Sequence, residues 1–307
     1  MKLRPHEWLL TGLDGGHPLA FLATLGTLRT ATLAWQEEPA PTLRWAIAEG
    51  AWRPVLSLPC VTDKEILLAG LHDQLKKMEE HPAFAVGDNL NFTETQFRSL
   101  AATAQSRYDV DPIMADFLSA FACEAAREEK GELLADTAFR TMRGAGHQHF
   151  IKTMRELIAN TTIEQLEASL FSQWRYEETG LSLRLDPADD RRYALRWKEP
   201  SGDPCRTERG ANRLAVEALP FFPVQPVGRR LETTGFTTRP RHGTFLTWPI
   251  WGNAIRMEVV LSLLSLSSLQ EERPLRPELA ARGIFEIFRC QRITLGKYRN
   301  FTTATPV

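Results

Sequence analysis

His147-Gln148-His149 follows directly on Gly144-Ala145-Gly146, so two imidazoles and two glycines fall in one short stretch. On a strand, side chains two apart share a face, and both imidazoles would offer a nitrogen to one metal ion. No spacing fixes a third ligand, although Asp136, Asp189 and Asp190 are available. If the stretch instead opens the helix expected over 148–160, positions i and i+2 point about 200° apart and chelation fails. The glycines then suggest a loop at a helix N-terminus whose backbone N–H groups meet a phosphate. The expectation is no metal and no cofactor, with Gly144, Gly146, His147 and His149 as a candidate phosphate-binding loop.

A second polar run, Asp186-Pro187-Ala188-Asp189-Asp190-Arg191-Arg192-Tyr193, reads as a salt-bridged turn between strands. Adjacent side chains of a strand face opposite ways, so Asp189 and Asp190 are badly placed to share a proton or a metal. Gly12 and Gly15-Gly16 mimic a phosphate cradle, but neither a Walker lysine nor a G-x-G-x-x-G after a strand accompanies them. A tight turn is the expectation there. Cys60, Cys123, Cys205 and Cys290 are far apart in the chain, which reads as reduced, mostly buried thiols in a cytoplasmic protein. There is no G-x-S-x-G, no H-E-x-x-H, no kinase motif set and no cysteine with a nearby histidine. The chain is therefore expected not to be an enzyme. The alternative is a metal-dependent hydrolase or nuclease using His147 and His149.

Formal net charge is −1, yet its sign changes along the chain. Of 37 Lys+Arg and 38 Asp+Glu, 19 and 10 lie from Arg191 onward, a net of +9, leaving 18 and 28, a net of −10, before it. Seventeen of those 19 cations are arginine, whose planar fork suits phosphate. Arg191, Arg192, Arg196, Arg229, Arg230, Arg239, Arg241, Arg289, Arg292, Lys297 and Arg299 are the candidate nucleic-acid-binding residues. Several adjoin aromatic residues, as in Arg192-Tyr193, Arg196-Trp197, Phe288-Arg289 and Tyr298-Arg299, which supplies stacking surface for single strands. Alternating core and surface positions of a sheet produce the same neighbours, and pairing with the acidic half would use the same arginines internally.

The elements that must position these groups follow from periodicity. Leu19, Leu22, Ala23, Leu25 and Leu28 recur at helical spacing after the turn Asp14-Gly15-Gly16-His17-Pro18. Alternation over 30–35, 42–48 and 52–56 predicts two or three strands, with 37–41 as the hairpin connection. Helices are expected over 63–81 with Asp63 as cap, then over 97–107, 112–130, 148–160 and 163–173. Strands are expected at 182–185 and 193–197, a helix from 209 or 210 to 219, then strands at 231–237, 244–248 and 289–295. The run 259–269 has the length of a core helix and is too short to span a bilayer; no membrane partner and no signal peptide are expected. The fold class is α+β: a helical middle region packed with a small, mostly antiparallel sheet built from the N- and C-terminal segments. The chain reads as one globular unit, 1–307, with an acidic helix-rich part at 1–180 and a basic α+β part at 181–307.

Three segments carry a family resemblance: 13–29 (LDGGHPLAFLATLGTLR), 248–251 (WPIW) and 296–302 (GKYRNFT). The first resembles the opening of proteins encoded with type I-G (formerly I-U) CRISPR systems, where a "PLGFLAALG"-like string recurs in the Csb and Csx groups. Ala20 stands where that string has glycine. The resemblance implies a non-catalytic subunit of a Cascade-like, RNA-guided complex in antiviral defence. Its partners would be CRISPR RNA and/or target DNA, together with other effector subunits. A scaffold that touches only proteins is the further alternative.

Overall fold

The structure is a computed structural model that describes residues 3–128, 131–144, 148–189, 205–228, 230–295 and 298–307. It is α+β, as its sequence pattern predicts. In chain order, β1 (Glu7–Leu9) leads through the Asp14–Gly16 turn into α1 (Pro18–Ala34), followed by the hairpin β2 (Thr42–Ala48) and β3 (Ala51–Ser57). Then come α2 (Lys64–Lys76), α3 (Glu94–Arg107), α4 (Ile113–Phe121), β4 (Ala122–Arg127), β5 (Leu134–Asp136), α5 (Phe150–Asn160) and α6 (Ile163–Phe171). The short pair β6 (Glu178–Thr179) and β7 (Arg206–Thr207) precedes α7 (Arg209–Ala218), β8 (Val224–Val227), β9 (Arg230–Thr233), β10 (Phe236–Arg239) and β11 (Gly243–Trp251). The chain closes with α8 (Met257–Leu264), α9 (Arg276–Ala280), β12 (Ile284–Leu295), β13 (Tyr298–Phe301) and β14 (Thr305–Pro306).

Helix α1 is the axis of the core. Every residue from Pro18 to Ala31 is buried, which a helix apolar on all sides tolerates only if its polar side chains are satisfied. Thr24, Thr27 and Thr30 each donate to the carbonyl four residues back at 2.8 Å. Arg29 is 2% exposed and pairs with Glu217 of α7 at 2.7 Å and Asp116 of α4 at 3.0 Å. Arg213 holds the other oxygen of Glu217 at 2.9 Å. Gly26 allows the approach of α1 to α7, because a Cβ there would lie 1.8 Å from the Leu214 carbonyl oxygen. The α1–α7 contact therefore joins the acidic and the basic parts of the chain.

Two antiparallel sheets flank this axis. The N-terminal one runs β1-β3-β2, and the C-terminal one runs β10-β11-β12-β13 with β14 also on β12. A bridge between Leu43 and Ile255 joins β2 to the segment that follows β11. Phe21 lies between Trp45 and Trp248, while Trp248 donates to the Gly15 carbonyl and Trp251 to the Leu43 carbonyl, both at 2.8 Å. The helices are capped as their sequences suggest, by Asp63 on α2 and by capping boxes Thr93/Gln96 on α3 and Thr162/Gln165 on α6.

Several expectations are corrected. Residues 30–34 belong to α1: burial on every side of that helix overrides their threonine-rich alternation. The hairpin connection is Glu49-Gly50, both with positive φ as a two-residue type I′ turn requires, and not 37–41. The predicted helix 112–130 ends at Phe121, where the chain turns into β4 and pairs with β5. Residues 182–185 are buried but form no strand; Arg184 has φ +57°, and the Asn212 side chain takes the Leu183 N–H. The expected strand 193–197 lies outside the described residues. Of the thiols only Cys290 is buried, while Cys60 is exposed. The run 259–269 is split between α8, with Val260 and Leu264 buried, and a 3-10 turn at Ser267–Gln270. No helix among the described residues is long and apolar enough to cross a membrane.

Candidate nucleic-acid interface

The nominated arginines do not share one face. On β12, Arg289 and Arg292 are three apart and so point to opposite sides of the C-terminal sheet. Arg289 is 8% exposed and donates to Thr247 Oγ1 at 2.8 Å and to the carbonyls of Leu269, Glu271 and Glu272 at 3.1, 2.7 and 3.3 Å. Burial, with Arg239 beside it, pulls its guanidinium down to about 10. Arg239 lies over the Phe245 ring and donates to the Gln270 and Glu271 carbonyls. Both are fasteners for the 3-10 turn and the residues after it, which corrects their nomination as open phosphate contacts. Arg230 and Arg241 are exposed. Arg191, Arg192, Arg196, Arg229 and Lys297 lie outside the described residues.

Arg292 and Arg299 face inward at the end of the sheet. The pairing of Thr294 with Arg299 puts both guanidinium groups on the side that also buries Cys290 and Phe301. There they meet the turn after β5. Arg292 Nη2 and Arg299 Nη1 share a single acceptor, the Arg140 carbonyl, at 3.2 and 3.1 Å. Among the described residues neither has a carboxylate partner. Asp136 accepts from both Arg140 and Arg143, and Glu128 is held by Arg143 at 2.8 Å. Four guanidinium groups thus gather around two carboxylates. Burial and the nearby Arg299 pull Arg292 down to about 9; burial and Arg143 pull Arg299 down to about 10. Both remain cations at neutral pH, and Arg292 Nε is buried without a partner. A group held this way is stabilised by an incoming anion far more than an exposed arginine is. Arg143 completes the rim, with 39% of its side chain exposed.

Gly144 and His149 adjoin this cluster, but the N–H groups of Gly144 and of the first turn of α5 are already used. Phe150 N–H, the first of α5, donates to Asn89 Oδ1 at 3.0 Å, and the next two donate to the Asp88 carbonyl. Gly144 N–H donates to the Gln148 carbonyl at 2.8 Å. No phosphate cradle is open on α5, which corrects that expectation for Gly144 and His149; Gly146 and His147 lie outside the described residues. His149 Nδ1 is 2.7 Å from Asn89 Nδ2. Because the Phe150 bond orients the amide, Nδ2 donates to Nδ1, and the imidazole carries its proton on Nε2. Among the described residues, no three His, Cys, Asp or Glu side chains converge as metal ligands.

Asp186 and Asp189 are buried, not part of a surface turn. His17, the N-cap of α1, accepts from Ala20 N–H on Nδ1 and sets Nε2 3.3 Å from Asp186 Oδ1. Asp189 accepts from Ser182 and from the Cys205 thiol, and burial raises its carboxyl above the ordinary value. Burial likewise raises Glu208, although the Arg175 and Tyr176 N–H groups donate to it at 2.7 Å. These contacts fasten 174–189 to α1 and α7.

Sequence reasoning missed Arg140, Arg143, Asn89 and Asn91, which stand in connecting segments without periodicity. No protein-family model matches the chain, and no curated protein is significantly similar to it.

Proposed function

We propose that the chain is a non-catalytic, nucleic-acid-contacting subunit of a type I CRISPR RNA-guided effector complex in antiviral defence. The system assignment rests on the resemblance of segments 13–29, 248–251 and 296–302. The contact rests on one observation: Arg292 and Arg299 are held together, partly buried, on one carbonyl and, among the described residues, without a carboxylate. Such a pair is held at a cost in the isolated protein, and a phosphate oxygen would relieve it. Arg143 stands at the rim of the pair, 39% exposed, as the first further cation that a strand of CRISPR RNA or target DNA would meet.

The test is retention of guide RNA and of target DNA by the purified chain, alone and with the products of neighbouring genes, across a salt series. Affinity should fall steeply with salt. Replacing Arg143, Arg292 and Arg299 together by glutamine should lower the log–log slope by about 2–3, roughly one for each lost phosphate contact. Salt-insensitive or absent retention in both settings would remove the proposal.

A protein-only scaffold is the second reading. It is favoured by arginines matched inside the chain: Arg256 on Glu38, Arg276 on Glu286, and Arg239 and Arg289 on carbonyls. An assembled complex whose nucleic-acid footprint never reaches Arg143 would decide for it.

A further inference from the structure

Beside the arginine cluster, between the start of α5 and the first turns of α3, lies a cleft of about 610 Å³. Its polar lining consists largely of amides, and their hydrogen bonds determine what each still offers. Asn91 Oδ1 accepts from Arg140 Nη2, which leaves its Nδ2. Gln96 Oε1 accepts from both the N–H and the hydroxyl of Thr93, which leaves its Nε2. His149 accepts on Nδ1, which leaves Nε2–H. One oxygen of Asp88 is held by Arg155, and the Ser99 hydroxyl also lines the cleft. The unspent amide and imidazole groups are therefore all donors and all uncharged. Phe92, Leu100 and Val86 supply an apolar wall. A free phosphate would favour charged donors and no apolar surface; a planar ring bearing carbonyl oxygens matches both features. Arg140 donates to Asn91, a cleft residue, so a guanidinium group borders the cleft.

We infer that this cleft binds one unpaired nucleotide whose base presents keto oxygens, uracil or guanine in preference to adenine. The inference rests on the proposed contact with nucleic acid and names what that contact selects. Unstacked bases of single strands are the usual targets of such edge recognition. The phosphates flanking the bound nucleotide would lie toward Arg143, Arg292 and Arg299.

The experiment compares fluorescence anisotropy of labelled oligouridylate and oligoadenylate of equal length on the full chain. Oligouridylate should bind at least about fivefold more tightly, the discrimination of one good pair of base-edge contacts. Asn91→Asp and Gln96→Glu keep the oxygens that Arg140 and Thr93 use, and each exchanges the remaining donor for an acceptor. Both should bring the ratio of the two affinities close to one. Arg143→Gln should weaken both oligonucleotides alike and leave the ratio intact. Equal affinities in the parent chain, or a ratio preserved in both Asn91→Asp and Gln96→Glu, would overturn the cleft assignment while salt-dependent binding kept the functional proposal standing. Failure of both oligonucleotides to bind at low salt would likewise overturn the cleft assignment, and the functional proposal would fall with it only if guide RNA and target DNA were also not retained in either setting.

Discussion

Replacing Arg292 by methionine should make the isolated protein more stable while weakening its hold on nucleic acid. Its guanidinium is displaced well below the ordinary value, to about 9, because it is desolvated and faces other guanidinium groups. A tenfold change in proton affinity corresponds to about 1.4 kcal/mol, so the charged form is held at an upper limit of about 5 kcal/mol. Water at the partly open rim reduces this. Exchanging a buried ion for an apolar side chain of similar length generally gains about 1–4 kcal/mol, and that is the expected range. The Arg140 carbonyl is not orphaned, since Arg299 still donates to it at 3.1 Å. The sign with pH follows from the folded value lying below the unfolded one. The penalty is complete below about 9 and fades as pH rises from there toward the unfolded value. Urea unfolding at pH about 8 should therefore show Arg292→Met above the parent, and the gap should narrow by about pH 10. A variant less stable than the parent by more than about 1 kcal/mol at the lower pH would refute the reasoning. Arg292 would then be a fastener, and the anion site would lose its main support.

Three further outcomes are expected. Arg289→Met, only three residues away, should have the opposite sign and lose about 2–4 kcal/mol in the same urea assay, because it strips four acceptors of a charged donor. Gly26→Ala should cost at least about 3 kcal/mol or abolish folding, read by thermal melting, since its methyl group would lie 1.8 Å from the Leu214 oxygen and backbone cannot step aside. Asp189→Asn should flatten the pH dependence of stability. The native carboxyl is raised above 3.8, so its stabilising share is complete below that value and is lost as pH climbs through the folded one. Denaturation midpoints across the acid range check this.

The helices were legible where one face or one cap decided the matter. Asp63 marks the start of α2, and the apolar spacing of 150–158 marks α5. The reading failed where tertiary contact overrode local pattern. Residues 30–34 alternate like a strand but continue a helix buried on all sides. Asp186 and Asp189 look like a solvated turn, yet both are buried, and Asp189 accepts from a thiol as distant in the chain as Cys205. Charge counting located the basic third but not its use. Alternation on β12 sends Arg289 to a set of carbonyls and Arg292 to a cationic cluster, and nothing in the one-dimensional pattern distinguishes the two.

The segments that carry the family resemblance converge on the interior, and this limits what the resemblance can say about role. Gly15 admits no side chain, because a Cβ there would lie 2.8 Å from Ile250 and 2.9 Å from Trp45. Its carbonyl receives the Trp248 indole, and Phe301 of the third segment sits in the core against Phe139 and Phe236. Close packing leaves few residue choices at such positions. The groups proposed to touch a ligand come from 89–96, 136–149 and 292–299, brought together only when the turn after β5 meets the end of the C-terminal sheet. A site assembled in that way has no fixed spacing to recognise. Its chemical signature is instead an imbalance visible only in three dimensions: guanidinium groups that share one carbonyl, beside amides whose oxygens are spent and whose N–H groups are not.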